Sequence, residues 1–498
     1  MNVNPITRLD YPDPDVIRVE DTYYMVSTTM HFMPGCEILQ SFDLVHWEHV
    51  TYVYETLDHT DAQQLKSGQN IYGQGMWAAS LRYHEGRFCI CFVANDTRKT
   101  YLYTSEKIDG PWKKQLIEGF YHDGSLLFDE DGRNYIVYGN DEIWITELNE
   151  DLIAPKKDGL HRLLVSDHKN PELGYEGSHI QKINGYYYIF LIHSLRDRWM
   201  RTEACFYSDS LEGEFTGGDV LCDDRGYCGQ GVAQGGIVDT PDGKWYAMLF
   251  QDSGAVGRIP ILLPVTWKDH FPFFGQNGHV PEEIEVHSTR PGYIYQPLVG
   301  SDDFCNGLLP RWQFNHDPDP RYYHLDALQG TYTITTREVC TELTQAVNTL
   351  TQRMSYPSCA AEVTVDASAL KEGDVAGLCA LQSCYAAVGI TKHHGKYEVL
   401  MLDKKEDGIL DMTEGTVVES HQMDFRLEAD FCNMKDEARC YYRVNKGDWL
   451  PIGTVHKLYF KLDHFTGCRF GLFCYATEET GGSACFRDFK YYDVDEIS

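Results

Sequence analysis

Basic residues are scarce in this chain: 43 Lys and Arg stand against 75 Asp and Glu, a formal net charge of −32 over 498 residues. Phosphate backbones are bound by clustered Lys and Arg, so nucleic acid is excluded as a partner and a neutral or small substrate fits better. No apolar run is long enough to span a bilayer, and the opening Met1-Asn2-Val3-Asn4-Pro5 has neither a basic n-region nor an apolar h-region. No membrane partner is expected, and a cytoplasmic location is. No CxxC pair occurs among the 16 cysteines, and many sit inside apolar segments such as Cys89-Ile90-Cys91. They read as reduced core thiols rather than as a disulfide framework. A long amphipathic helix pattern is also missing, as is any charge run long enough to be a disordered tail.

What is present is strand signal. Short runs of Val, Ile, Tyr and Phe alternate with Asp-Gly or Asn-Gly punctuation, which makes the chain all-β. Its length calls for at least two domains. Five hairpin signals share an acidic or amide residue, then Gly or Thr, then aromatics: Asp21-Thr22-Tyr23-Tyr24, Glu85-Gly86-Arg87-Phe88, Asp131-Gly132-Arg133-Asn134-Tyr135, Asn184-Gly185-Tyr186-Tyr187 and Asp242-Gly243-Lys244-Trp245-Tyr246. They recur every 45 to 65 residues or so, roughly the period of a four-stranded propeller blade. Ser41-Phe42-Asp43-Leu44 with Trp47, Ser105 with Gly110-Pro111-Trp112, and Ser208 with Phe215 read as outer turns that close a blade. Five units predict a five-bladed β-propeller over residues 1–295.

After Arg290-Pro291-Gly292 the texture changes, and residues 300–498 carry strand-like segments without the blade signature. Asn348-Thr349-Leu350-Thr351-Gln352-Arg353 and Tyr397-Glu398-Val399-Leu400-Met401 alternate polar with apolar, as half-buried strands do. A β-sandwich domain is predicted there.

Nine residues before each Gly or Thr of the hairpins, where a blade's innermost strand begins, stand Asp13, Trp77, Asp123, Glu176 and Gln234. Innermost strands surround the propeller axis, so these five side chains should converge at one mouth of the channel. Acidic residues often open strands merely because they turn well. Three that converge repel one another, however, and are retained for function or for a metal. Trp and Gln as the other two members argue against a pure metal cage. Two carboxylates in different protonation states are what glycoside hydrolysis requires, one to activate water or attack and one to protonate the leaving group. A third can raise the acid's pKa. Trp77 offers a stacking face for a sugar ring, although ordinary core packing accounts for it equally well.

The ordered motifs resemble glycoside hydrolase family 43. They are Asn4-Pro5-Ile6; Tyr11-Pro12-Asp13-Pro14-Asp15-Val16-Ile17-Arg18; Met33-Pro34-Gly35; Ser41-Phe42-Asp43-Leu44-Val45-His46-Trp47; Trp77-Ala78-Ala79-Ser80-Leu81; and Tyr175-Glu176-Gly177-Ser178-His179. Asp302-Asp303-Phe304 and residues 348–353 resemble the concanavalin-like sandwich attached to β-xylosidase members. The resemblance implies Asp13 as general base, Asp123 in His122-Asp123-Gly124-Ser125 as pKa modulator and Glu176 as general acid, working with inversion. It implies Arg258 as a glycone contact, where a surface salt bridge is the plainer alternative. Met30-His31-Phe32 stand where family members wall the glycone pocket, so His31 and Phe32 join Trp77, Gln234 and Arg258 as expected substrate contacts. Many members carry a His where this chain has Gln234, which argues against an axial calcium.

The expected function is that of an exo-acting pentosidase, a β-D-xylosidase, an α-L-arabinofuranosidase or both, acting on xylo- or arabino-oligosaccharides. An endo-acting arabinanase is the alternative enzyme, and a non-catalytic carbohydrate-binding propeller the alternative outside catalysis; an intact carboxylate trio speaks against the latter. No cofactor is required for the chemistry. A structural calcium ion is expected at Asp303 and Asp488, and the sequence leaves room for a homo-oligomer.

Overall fold

A computed structural model describes residues 2–413 and 415–493. Met1, Glu414 and residues 494–498 lie outside the described residues, and with them the outer ends of the spans 1–295 and 300–498. The chain is all-β, and its helical content among the described residues is four short 3-10 turns.

Five four-stranded antiparallel sheets follow one another along the chain. The first holds Asp15–Val19, Thr22–Val26, Gly35–Ser41 and Glu48–Tyr54, and the last Ala233–Asp239, Trp245–Asp252, Arg258–Lys268 and Phe271–Phe274. Between them the sheets open with Met76–His84, Ser125–Phe128 and Glu176–Ile183. The first strands of neighbouring sheets lie against one another around a ring, and that of the fifth closes on that of the first. This is a five-bladed propeller. The hairpin signals fall between first and second strands: His84 pairs with Arg87 and Ile183 with Tyr186. Both residues of each intervening turn, Glu85-Gly86 and Asn184-Gly185, have positive φ, the turn whose twist matches a right-twisted hairpin. The outer-turn motifs lie between third and fourth strands, as at Ser41 to Glu48.

The C-terminal part is a β-sandwich. One sheet runs from Tyr323–Asp326 to Leu450–Lys457 through Thr331–Thr335, Ser483–Asp493, Ser358–Asp366, Gln422–Asp430 and Glu437–Val444. The other contains Gln313–Asn315, Leu350–Arg353, Arg469–Tyr475, Val375–Leu381, Ala386–His393 and Lys396–Lys404. Their inner faces bury Val363, Phe425, Leu427, Leu378, Val388 and Leu472 in one apolar core.

The two parts share a sheet. Phe32–Met33, from the first blade, adds to the sandwich sheet by pairing with Gln313–Asn315. The seam is polar: Arg353 forms an ion pair with Glu37 at 2.9 Å and donates to the Asp10 carbonyl at 2.9 Å, with its guanidinium 4.0 Å from the Tyr11 ring centre. Its presence corrects the alternation expected at residues 348–353. Leu350–Arg353 is buried at every position, because its second face meets the propeller instead of water. Lys396–Lys404 likewise buries four consecutive residues, Val399 to Leu402.

All sixteen cysteines are free, and eleven are buried. Among the described residues no helix is long and apolar enough to cross a membrane.

Candidate active site

Asp13, Asp123 and Gln234 all stand immediately before or within a blade's first strand with left-handed backbone, φ 53, 47 and 60°. Such geometry is costly for non-glycine residues and gathers at functional sites. Each is about 5 % exposed.

Asp13 is held from two sides. Arg258 Nη1 donates to its Oδ1 at 2.9 Å, and Thr28 Oγ1 to its Oδ2 at 2.5 Å. Arg258 is itself buried and opens the third strand of blade five. It is placed by Asp10, whose Oδ1 accepts the Arg258 amide and whose Oδ2 accepts the Gly467 amide, both at 2.8 Å. Gly257, at φ 105°, lies so close that a Cβ there would stand 2.3 Å from Asp10 Oδ1. Only glycine fits.

Across the pocket, Asp123 Oδ2 accepts the Gly177 amide at 3.0 Å, and Glu176 Oε2 accepts the Asn140 side-chain amide at 2.7 Å. His122 Nε2 lies between them, 3.6 Å from Asp123 and 3.5 Å from Glu176. Those distances are long for hydrogen bonds, so charge holds the imidazole. Burial pulls His122 down, but Asp123, Glu176 and Asp13 together outweigh it and raise its pKa to about 9. Burial pushes Asp123 up, opposed by His122 and assisted by Glu176 and Asp13, to about 6. Among the described residues, His122, Asp123 and Glu176 form the grouping whose possible ligand atoms all lie within 4.8 Å of one another. A neutral imidazole there could ligate a metal, whereas the protonated form that its carboxylate neighbours favour cannot.

Gln234 packs behind the acid. A Cβ on Gly177, at φ 65°, would stand 2.7 Å from Gln234 Cγ. The Gln234 backbone N–H donates at 2.7 Å to Glu203, a fully buried carboxyl that burial pushes well above the usual range. Trp77 forms a wall, with ring centres 5.7 Å from His122 and 5.6 Å from Phe465. Its buried Nε1 has no hydrogen-bond partner among the described residues.

Phe465 comes from the sandwich, in the loop between Leu450–Lys457 and Arg469–Tyr475. Its ring lies 4.2 Å from the Arg258 guanidinium, and its carbonyl accepts Arg258 Nη2 at 3.4 Å. The sandwich therefore completes the pocket.

His31 and Phe32 go elsewhere. Both are buried in the seam, His31 against Phe32, Tyr72 and His316 at 4.3, 4.7 and 4.9 Å, and Phe32 under the Arg469 guanidinium at 3.5 Å. Pairing of Phe32–Met33 with the sandwich sheet draws them away from the sugar pocket. Their neighbour Met30 stays near it, its backbone paired with Met76 beside Trp77. Asp303 and Asp488 are both exposed and flank an antiparallel bridge between Asp302 and Phe489. Asp303 Oδ1 already accepts the Cys305 amide. Calcium takes six to eight oxygens, so an ion there would draw most of its ligands from water and backbone.

Sequence reasoning gave no role to His122, although it stands beside Asp123 in the quoted motif. Asn140, Glu203 and Phe465 carried no local signal, since each meets the site through a different blade or domain.

The sequence model of glycosyl hydrolases family 43 matches residues 3–272, more than half of the chain. The chain belongs to glycoside hydrolase family 43. Residues 301–492 match the β-xylosidase C-terminal concanavalin A-like domain. This family 43 enzyme is similar to a β-xylosidase of Formosa agariphila, 27% identical over 99% of this chain and 89% of that one. It is also similar to a non-reducing-end α-L-arabinofuranosidase of Bacteroides ovatus, 24% identical over 82% and 79% of the two chains. A solved structure from Bacteroides eggerthii, described as a bifunctional GH43-CE protein, superposes with a TM-score of 0.93 at 42% identity. That match covers the whole of this family 43 chain and 64% of the longer protein.

Proposed function

We propose that the chain is an exo-acting inverting pentosidase that releases terminal β-D-xylose, α-L-arabinofuranose or both from plant cell-wall oligosaccharides. The observation that carries this reading is the separation of the carboxylates into two environments. Asp13 is ion-paired with a buried arginine, whereas Asp123 and Glu176 share one imidazole. In this reading Asp13 takes a proton from water as that water attacks the anomeric carbon. Glu176 gives its proton to the departing glycosidic oxygen. Its Oε2 is engaged by Asn140, which leaves Oε1 for that transfer. Asp123 with His122 sets the charge beside the acid, and Trp77 and Arg258 bound the glycone.

The names of the relatives, a β-xylosidase and an α-L-arabinofuranosidase, support the pentose class. Closure of the pocket by Phe465 supports attack at chain ends rather than along an open groove. A structural calcium at Asp303 and Asp488 and a reducing, cytoplasmic setting for the free thiols belong to the same proposal. Hydrolysis of nitrophenyl xyloside and nitrophenyl arabinofuranoside, with product anomers followed by NMR, tests it. First-formed product of inverted configuration supports the mechanism, and retained configuration overturns it.

A further inference from the structure

Arg201 is a nearly buried cation whose hydrogen bonding is unmet. Its side chain is 11% exposed, and its Nε is buried with no hydrogen-bond partner among the described residues. Asp252 Oδ2 lies 3.3 Å from that nitrogen as an ion-pair partner, and Asp252 Oδ1 is also buried and unpartnered. A guanidinium carries five donors in a fixed fork, so Nε can face Asp252 while the terminal nitrogens remain for acceptors brought from outside. Such a group is poised for a ligand that brings acceptors.

Arg201 stands on the acid's blade, at the end where that blade's first strand begins. Glu176 pairs with Ile192, two residues before Ser194, and Ser194 pairs with Arg201. The loop at residues 195–200 therefore leaves blade four at the end where Glu176 stands. The Arg201 guanidinium lies 5.1 Å from the Phe250 ring centre, and the Arg258 guanidinium lies 5.3 Å from the same ring. One ring thus separates Arg201 from the arginine that pairs with Asp13. On its other side Arg201 lies 5.7 Å from the ring of Trp199, which is 44% exposed. An exposed indole beside unmet donors, on the acid's blade, has the chemistry of a sugar platform: pyranose C–H faces pack on aromatic rings while hydroxyls take directed hydrogen bonds.

We propose that Trp199 and Arg201 form a leaving-group subsite, which holds the sugar chain beyond the scissile bond and sets a preference for oligosaccharides over short glycosides. The inference rests on the pentosidase reading above. Trp199 stacks a ring of that chain, and Arg201 donates to its hydroxyls. Neither residue takes part in bond breaking.

The test compares a trisaccharide, xylotriose or arabinotriose according to the pentose the wild type releases, with the glycosyl fluoride of that pentose. The fluoride's one-atom leaving group cannot reach Trp199. Trp199→Ala should raise KM for the trisaccharide by about five- to tenfold, the scale of one aromatic contact, and leave kcat/KM on the fluoride within about twofold. Trp199→Phe should restore most of the loss. Arg201→Met, which keeps the packing against Phe250, should show the same split, and Arg201→Lys a smaller one. An unchanged trisaccharide KM in Trp199→Ala overturns the proposal, as does an equal loss on both substrates, which would mark a structural role. Failure of the wild type on every pentoside would instead remove the pentosidase reading itself.

Discussion

Arg258 spans the two domains with one side chain: Nη1 holds Asp13 at 2.9 Å and Nη2 reaches the carbonyl of Phe465 in the sandwich. A planar fork can do both at once, and a lysine ammonium cannot. Arg258→Lys should therefore lower kcat/KM by about 10²-fold on nitrophenyl glycosides, the scale of a small misplacement at the reacting centre. A variant within tenfold of wild type would mean that charge alone suffices.

Asp13→Ala should lose most activity on every substrate, because no other group is placed to activate water. Glu176→Ala should lose more on xylobiose than on nitrophenyl xyloside, whose leaving group departs without a proton. Equal losses on the two substrates would argue against Glu176 as the acid.

Asp123, raised by burial to about 6, and His122, raised against burial by its carboxylate neighbours to about 9, bind protons more tightly folded than unfolded. Their contributions to stability are whole below the ordinary values of 3.8 and 6.5, and are lost as pH rises through about 6 and about 9. The difference in melting temperature between wild type and His122→Asn should shrink between pH 6.5 and 9. Loss of the imidazolium should also push Asp123 higher. Melting curves that run parallel across that window would count against the assignment.

Arg353 and Glu37 are a buried ion pair across the seam, and Glu37, against its own burial, is held down to about 2 chiefly by Arg353. Arg353→Met leaves that buried carboxylate with His49 alone, a loss on the scale of about 3–5 kcal/mol. The variant should melt well below wild type and lose activity along with the Phe465 wall. A double variant, Arg353→Met with Glu37→Leu, should recover much of the melting temperature; no recovery would show that the cost lies in packing.

Chelation should lower the melting temperature if calcium bridges Asp303 and Asp488, and should leave turnover by folded enzyme unchanged, since neither residue touches the trio. Melting that responds neither to chelator nor to added calcium would remove that ion from the proposal.

Much of this arrangement was legible in the linear order of residues. A blade is a local object: its hairpin turns need particular residues at particular offsets, so Glu85-Gly86 and Asn184-Gly185 announce themselves within a few positions. Counting back nine residues from each turn reached the starts of the five innermost strands, because a blade's lead-in and first strand together span nearly the same offset from its turn. The sequence alone thus determined the all-β class, the repeat and the five residues that head the blades. It did not determine what their neighbours would be. Leu350–Arg353 loses its alternation, and Phe32 leaves the pocket, because a second domain covers faces that a single strand would show to water. Phe465 stands more than 200 residues from Arg258 in the chain, yet their contact closes the pocket. Only tertiary structure decides such pairings, since they follow from which surfaces two folded domains bury against each other and not from any local preference of the backbone.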